Sequence, residues 1–180
     1  MKQAIVIGCQ PKNKNTWLKD LLSSLKGCKY PIEINYTDNF ELATIKWARD
    51  GKKWDEFFFL PETTIIKDLK LFDMIFEENK GKSVSICKYP SWGGMYLVKY
   101  RQEILKNVFI PEVKSKKMAV YWEIVFNAYY AGLDEGNCAV LFPDMVHSNN
   151  FVEKYGRLNM VMGNEYIERY KGDWGQRPLT

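Results

Sequence analysis
Three short stretches of the chain combine residue types that can do chemistry. In Leu60-Pro-Glu-Thr-Thr64 a carboxylate follows directly on the apolar run Glu56–Leu60. If that run is a buried strand, Glu62 stands at the sheet edge where ligands bind. It could there hold a divalent cation against a diphosphate, since hard cations take oxygen ligands and share them with phosphates. Equally, Glu62 and Thr63 suit the start of a helix, where an acidic side chain complements the dipole. Glu123 is the only charged residue between Lys117 and Asp134. In such apolar company a carboxylate is partly desolvated, which raises its pKa and suits a general base; alternatively it marks the solvent-facing stripe of a helix. His147, the single histidine, sits in the polar stretch Pro143–Asn150, as a metal or phosphate ligand or as an ordinary loop residue.

These residues need elements to position them, and the order of apolar runs supplies a scheme. Gln3–Gly8 is a short β-branched run ending in glycine and reads as a buried strand. Asn15-Thr16 can cap a helix carrying Trp17, Leu18, Leu21, Leu22 and Leu25, stopped by Gly27. A strand over Ile32–Tyr36 follows, then a helix capped by Asn39 and ended by Gly51. Glu56–Leu60 is a third strand, Ile66 to Asn79 a helix, and Ser83–Cys87 a fourth strand. Strands alternating with helices imply a mostly parallel α/β sheet covered on both faces, with ligands beyond the carboxyl ends of the strands. The site is therefore expected near Gly8–Gln10, Thr37–Asn39 and Pro61–Thr64. Beyond it the pattern predicts a glycine-containing loop over Tyr89–Met95, a helix near Tyr100–Asn107, and an apolar helix from Met118 to Ala131. A strand over Cys138–Phe142 and a polar tail complete the chain.

Composition narrows the classes. With 180 residues, 46% hydrophobic and 27% charged, the chain reads as one soluble domain with a sizeable core. The net charge of +4 tolerates an anionic partner without demanding one. Cys9, Cys28, Cys87 and Cys138 are widely spaced, so neither a zinc site nor a disulfide framework is indicated. The N-terminal apolar run is too short for a signal peptide or a membrane span, which points to the cytoplasm and to no membrane association. GxGxxG, P-loop, G-x-S-x-G and HExxH motifs are all missing.

The ordered set resembles the GT-A fold of nucleotide-sugar glycosyltransferases, especially the short family-2-like enzymes of bacteriophages. Ala4–Cys9 resembles the first strand and nucleotide loop, and Asn39–Ala48 the helix after the base-binding loop. Trp54–Thr64 resembles the strand ending in the family's acidic metal motif, although Pro61-Glu62-Thr63 keeps one carboxylate where Asp-x-Asp has two. Gly93–Leu105 is similar to the glycine pair and basic helix that line the acceptor site. Trp122–Gly132 is similar to the acidic helix start that supplies the base of inverting members, with Glu123-Ile124 in place of Glu-Asp. The resemblance implies a single GT-A-like domain over residues 1–180 and a nucleotide-diphosphate sugar donor, UDP-linked by analogy. It implies donor contacts from Gly8, Cys9, Asn39, Glu62 and Thr63, and Mn or Mg at Glu62 with His147 as a late ligand. Glu123 becomes the catalytic base, and Trp92, Gly93, Gly94, Lys99 and Arg101 the acceptor-binding set. For phage enzymes it implies a hydroxymethylated base in DNA as acceptor. A surface glycan or protein acceptor, or a non-catalytic nucleotide-binding module, are the other expectations.

Overall fold
The computed structural model describes residues 1–88, 97–145 and 160–170, with the backbone alone for Lys116, Val120, Glu123 and Ile124. A six-stranded sheet has the order β2-β1-β3-β6-β5-β7: β1 is Gln3–Cys9, β2 Ile32–Tyr36, β3 Glu56–Pro61, β5 Ser83–Cys87, β6 Val98–Arg101 and β7 Cys138–Phe142. Only β6 runs against the rest. A second sheet, β4-β9-β8, joins Thr64–Ile66, Ile167–Tyr170 and Met160–Gly163 in antiparallel fashion.

The core follows from the side chains of the central strands. Phe57, Phe58 and Phe59 of β3 and Ile5, Val6 and Ile7 of β1 are fully buried, as continuous apolar runs covered on both faces must be. Helix α1 (Trp17–Ser24) and helix α2 (Glu41–Gly51) connect β1, β2 and β3. The chain leaves β1 toward β2 on one side and then crosses to β3 on the other. That reversal opens a crevice beyond the carboxyl ends of β1 and β3, the general ligand position of open α/β sheets.

β2, β5 and β7 coincide with the expected runs, and β3 extends one residue further, to Pro61. Four differences matter. First, the helix expected from Ile66 begins only at Lys70, as α3 (Lys70–Asp73) running into a π-helical turn over Met74–Glu78. The segment before it is claimed by β4, which pairs Ile66 with Ile167, while Lys67 N–H donates to the Tyr166 carbonyl and Ile66 N–H to Ser24 Oγ of α1. Second, Glu62 and Thr63 begin no helix; they form the turn between β3 and β4. Third, Tyr100 and Arg101 end strand β6 (Val98–Arg101), leaving only α4 (Gln102–Leu105) of the helix expected near Tyr100–Asn107. Fourth, the expected polar tail contains the β8–β9 hairpin. Its turn is held by Asn164, whose Oδ1 accepts from Tyr166 and Ile167 N–H.

Helix α5 (Lys116–Leu133) is capped by Ser115, whose Oγ accepts from Met118 N–H at 3.3 Å. Among the described residues no helix is long and apolar enough to cross a membrane.

Candidate donor-binding cleft
Beyond the carboxyl ends of β1, β2 and β3 lies a cleft of about 150 Å³. β1 contributes Gly8 and Cys9, the residue after it Gln10, and the loop after β2 Thr37 and Asn39. The β3–β4 turn contributes Glu62 and Thr63, and β9 contributes Arg169 and Tyr170.

Gly8 makes room for the floor. A Cβ there would stand 2.9 Å from Thr44 Oγ1 and 3.0 Å from a Phe59 ring carbon. Thr44 is pinned by the amide of Asn35, which donates to Oγ1 at 3.1 Å, and both Thr44 and Phe59 are fully buried. Neither neighbour can give way, so Gly8→Ala is expected to cost about 1–3 kcal/mol through overpacking. Urea denaturation of Gly8→Ala beside Gly8→Ala/Thr44→Ala checks this, with part of the loss recovered in the double variant.

Glu62 anchors the wall. Its backbone N–H donates to the Gly8 carbonyl at 3.1 Å, continuing the β1–β3 ladder by one residue. Its Oε1 accepts from Asn13 Nδ2 at 2.8 Å and from Gln10 N–H at 3.3 Å. The carboxylate is therefore oriented by the turn at Pro11–Asn13 and buried, with 8% of its surface exposed. No cation pairs with Glu62 among the described residues.

Cys9 lies beside it. Burial, and then the negative charge of Glu62, push its thiol up to about 12. It is a neutral thiol at physiological pH and donates to the Gln10 carbonyl at 3.2 Å. That makes it a wall of the cleft rather than a nucleophile or a metal ligand. Asn39 lines the cleft too, but does not cap α2: the capping position is Phe40, without a side-chain bond. The Asn39 N–H instead donates to Thr37 Oγ1 at 3.0 Å.

The cleft thus brings together Gly8, Cys9, Asn39, Glu62 and Thr63. It does not bring in Lys99 or Arg101. β6 runs antiparallel to β3 and pairs Glu56 with Arg101, so both cations lie toward the opposite end of the sheet. Lys99 is fully buried, with Nζ 3.2 Å from Glu56 Oε2 and 2.8 Å from the Asn79 carbonyl. Arg101 pairs with Asp134 at 2.6 Å and with Glu103. The acceptor contacts expected of these two residues do not fit this placement, because both charges are committed to the protein's own carboxylates. Glu123 is carried by α5, two turns into the helix rather than at its start. Trp92, Gly93, Gly94 and His147 lie outside the described residues.

Sequence reasoning missed Asn13, Thr44 and Arg169. No local pattern marks Arg169: Ile167-Glu-Arg-Tyr170 does not alternate, and the residue reaches the cleft through the pairing of β9 with β4. Arg169 lines the cleft, and arginine is a planar cationic donor of the kind that matches phosphate oxygens. As to a divalent ion, no group of three or more His, Cys, Asp or Glu able to hold a metal occurs among the described residues. One oriented carboxylate nevertheless suits an ion that keeps its waters and is shared with substrate phosphates, as Mg typically is. The donor set fits an ion in that shared form and not as a site built by the protein alone.

No protein-family model and no curated protein matches the sequence. Solved structures do match in shape. A197 from STIV superposes with a TM-score of 0.54 at 13% identity, over 78% of this chain and 82% of that chain. TarS of S. aureus superposes at 0.52 and 14% identity, over 85% of this chain and 38% of TarS. TarS 1-349 in complex with UDP-GlcNAc superposes at 0.54 and 14% identity, over 78% of this chain and 56% of that chain. The chain therefore spans about half the length of TarS 1-349 or less of the full protein. With a mostly parallel sheet, an antiparallel strand inside it and a cleft at the carboxyl ends of β1 and β3, the fold is GT-A-like, as the sequence leads one to expect.

Proposed function
We propose that the protein is a glycosyltransferase that takes its sugar from a nucleoside diphosphate donor, UDP-linked by analogy with the ligand of TarS. The observation that carries this reading is the oriented Glu62 carboxylate in one cleft with Arg169, at the switch point of a GT-A-like sheet. Thr37 and Asn39 border the nucleoside end, and Arg169 holds diphosphate oxygens. Glu62 would hold an Mn or Mg ion together with the donor, and His147 would be a further ligand. When bound, the ion supplies positive charge that stabilises the departing diphosphate.

Glu123 takes the proton of the acceptor hydroxyl. The freed oxygen forms a bond to the anomeric carbon as the bond to the diphosphate breaks, with inversion at that carbon. Glu123→Gln is expected to lower turnover at least about 10²-fold, in the range typical of a general base, with donor affinity nearly unchanged. Equal turnover in the variant removes Glu123 from the mechanism.

The acceptor we infer is a hydroxymethylated base in DNA, as in phage enzymes of this appearance. The net charge of +4 supports it, and Trp92 offers a ring on which an unstacked base can lie. Binding that weakens steeply with salt separates DNA from a glycan or protein acceptor. The single carboxylate at Glu62 favours a second reading, a donor-binding module without turnover.

The deciding experiment is a thermal-shift and calorimetry panel of nucleotide sugars with and without Mn. A donor at about 100 times its Kd adds about 2.7 kcal/mol, which at this chain length raises Tm by roughly 5–10 °C. Binding without transfer to any acceptor supports the module reading, and no binding at all ends the transferase reading.

A further inference from the structure
Among its described side chains, helix α5 presents a solvent face without charge between Lys117 and Glu135. Between Lys117 and Glu135 its exposed side carries Met118, Tyr121, Ala128, Tyr129, Gly132 and Leu133, with half-buried Val125 in the middle. The opposite side packs into the core through Ala119, Phe126 and Tyr130. A surface helix ordinarily places polar residues on its outer face, so this one is apolar on both sides. The patch continues onto Phe109, 70% exposed, whose ring meets Trp122 at 6.5 Å; Trp122 in turn meets Tyr121 at 5.5 Å.

The charges at the helix ends are also set the wrong way round for an isolated helix. Lys117 stands in the first turn, Lys114 just before the helix within 3.9 Å of the exposed Glu112, and Glu135 just past the C-terminal end, all exposed. Neither the first turn carries an acid nor the last a base, the reverse of what the macrodipole favours. A helix lying antiparallel against α5 would answer both features, because its acidic end would meet the basic end and the two dipoles would oppose.

We propose that this face pairs α5 with α5 of a second copy of the chain, antiparallel about a two-fold axis near Val125. The stripe is symmetric about that residue in sequence: four residues either side stand Tyr121 and Tyr129, seven either side Met118 and Gly132. In the pair Tyr121 packs on the partner's Tyr129, and Gly132, with open space where a Cβ would be, admits the partner's Met118. Lys114 and Lys117 meet the partner's Glu135. Such self-complementarity is what a two-fold interface requires. Tyr121, Tyr129 and Phe109 are 61%, 50% and 70% exposed, and at about 200 Å² per ring they alone offer roughly 350 Å² per copy. That is near half of the roughly 800 Å² per partner of a standard stable interface, before Met118, Leu133 and the polar rim are added. An anionic membrane fits less well, since Glu135 at one end would be repelled by the lipid that attracts the lysines.

Sedimentation velocity on the full chain from about 1 to about 200 μM, the range in which an interface of this size associates, tests the proposal. A concentration-dependent dimer is expected. Tyr129→Lys should weaken it about tenfold or more, as loss of a central aromatic contact does. Glu135→Lys should weaken it by repelling the partner's lysines. The triple variant Lys114→Glu/Lys117→Glu/Glu135→Lys restores opposite charges and should restore the dimer; circular dichroism checks that each variant is folded. A monomer throughout the range overturns the proposal, as does a dimer indifferent to Tyr129→Lys and Glu135→Lys. A monomer that binds phosphatidylserine vesicles through Tyr129 assigns the face to membrane instead and overturns it equally.

Discussion
Glu62→Gln is expected to remove the metal-dependent part of donor binding and to lower turnover by about 10²–10³-fold, the loss typical when one preorganised electrostatic group at a leaving group is removed. The amide is the informative replacement. Asn13 Nδ2 and Gln10 N–H both donate to Oε1, and a glutamine oxygen can still accept from both. The loop after β1 therefore keeps its anchor, and Tm without ligand stays close to that of the parent. What changes is the charge. Arg169→Ala is the companion: it should weaken donor binding with or without Mn, because in the proposed reading its guanidinium would contact phosphate oxygens directly. A Glu62→Gln protein with an undiminished Mn-dependent thermal shift would end the role of Glu62 in ion binding. Undiminished turnover as well would leave it a purely structural anchor.

The pairing of these two residues also shows what sequence can and cannot convey. Glu62 was visible because it follows a buried apolar run directly, and position at the end of a strand is a local property. Gly8 and Thr37 to Asn39 were visible for the same reason, one strand end each. Arg169 stands more than a hundred residues later in the chain, and enters the cleft only because β9 pairs with β4, Arg169 lying opposite Thr64. Nothing local announces that pairing. The same force misled the reading of Ile66–Asn79: its helical periodicity is real from Lys70 onward, but backbone donors at Ile66 and Lys67 are satisfied by Ser24 and Tyr166. Lys99 was misplaced for a different reason. Resemblance to the family's basic helix puts Lys99 in the acceptor-binding set. In the fold β6 inserts between β3 and β5, and the middle of a sheet leaves an ammonium no water to face.

That burial makes the Lys99–Glu56 pair the site of the largest expected loss of stability. Lys99 and Glu56 are 0% and 2% exposed. Burial lowers the Lys99 pKa, and the Glu56 carboxylate opposes that shift. Glu56 is satisfied on both oxygens: Oε2 accepts from Gln3 Nε2 at 2.9 Å and from Lys99, and Oε1 from Gly81 N–H at 3.1 Å. The Lys99 ammonium also stands 5.8 Å from the centre of the Phe76 ring. Glu56→Ala strands a buried ammonium and Lys99→Met a buried carboxylate, and each is expected to cost about 3–5 kcal/mol, or roughly 10 °C in Tm. Desolvation, however, offsets much of the attraction within an intact pair. The double variant Glu56→Leu/Lys99→Met should therefore regain most of the loss, with a coupling energy of about 2 kcal/mol or more between the sites. Donor affinity per folded molecule should stay unchanged throughout, since the pair lies at the end of the sheet away from the cleft. Single variants that unfold no more readily than the parent would show the ammonium to be hydrated. A double variant worse than either single would assign its value to the Gln3, Gly81 and Asn79 bonds rather than to charge.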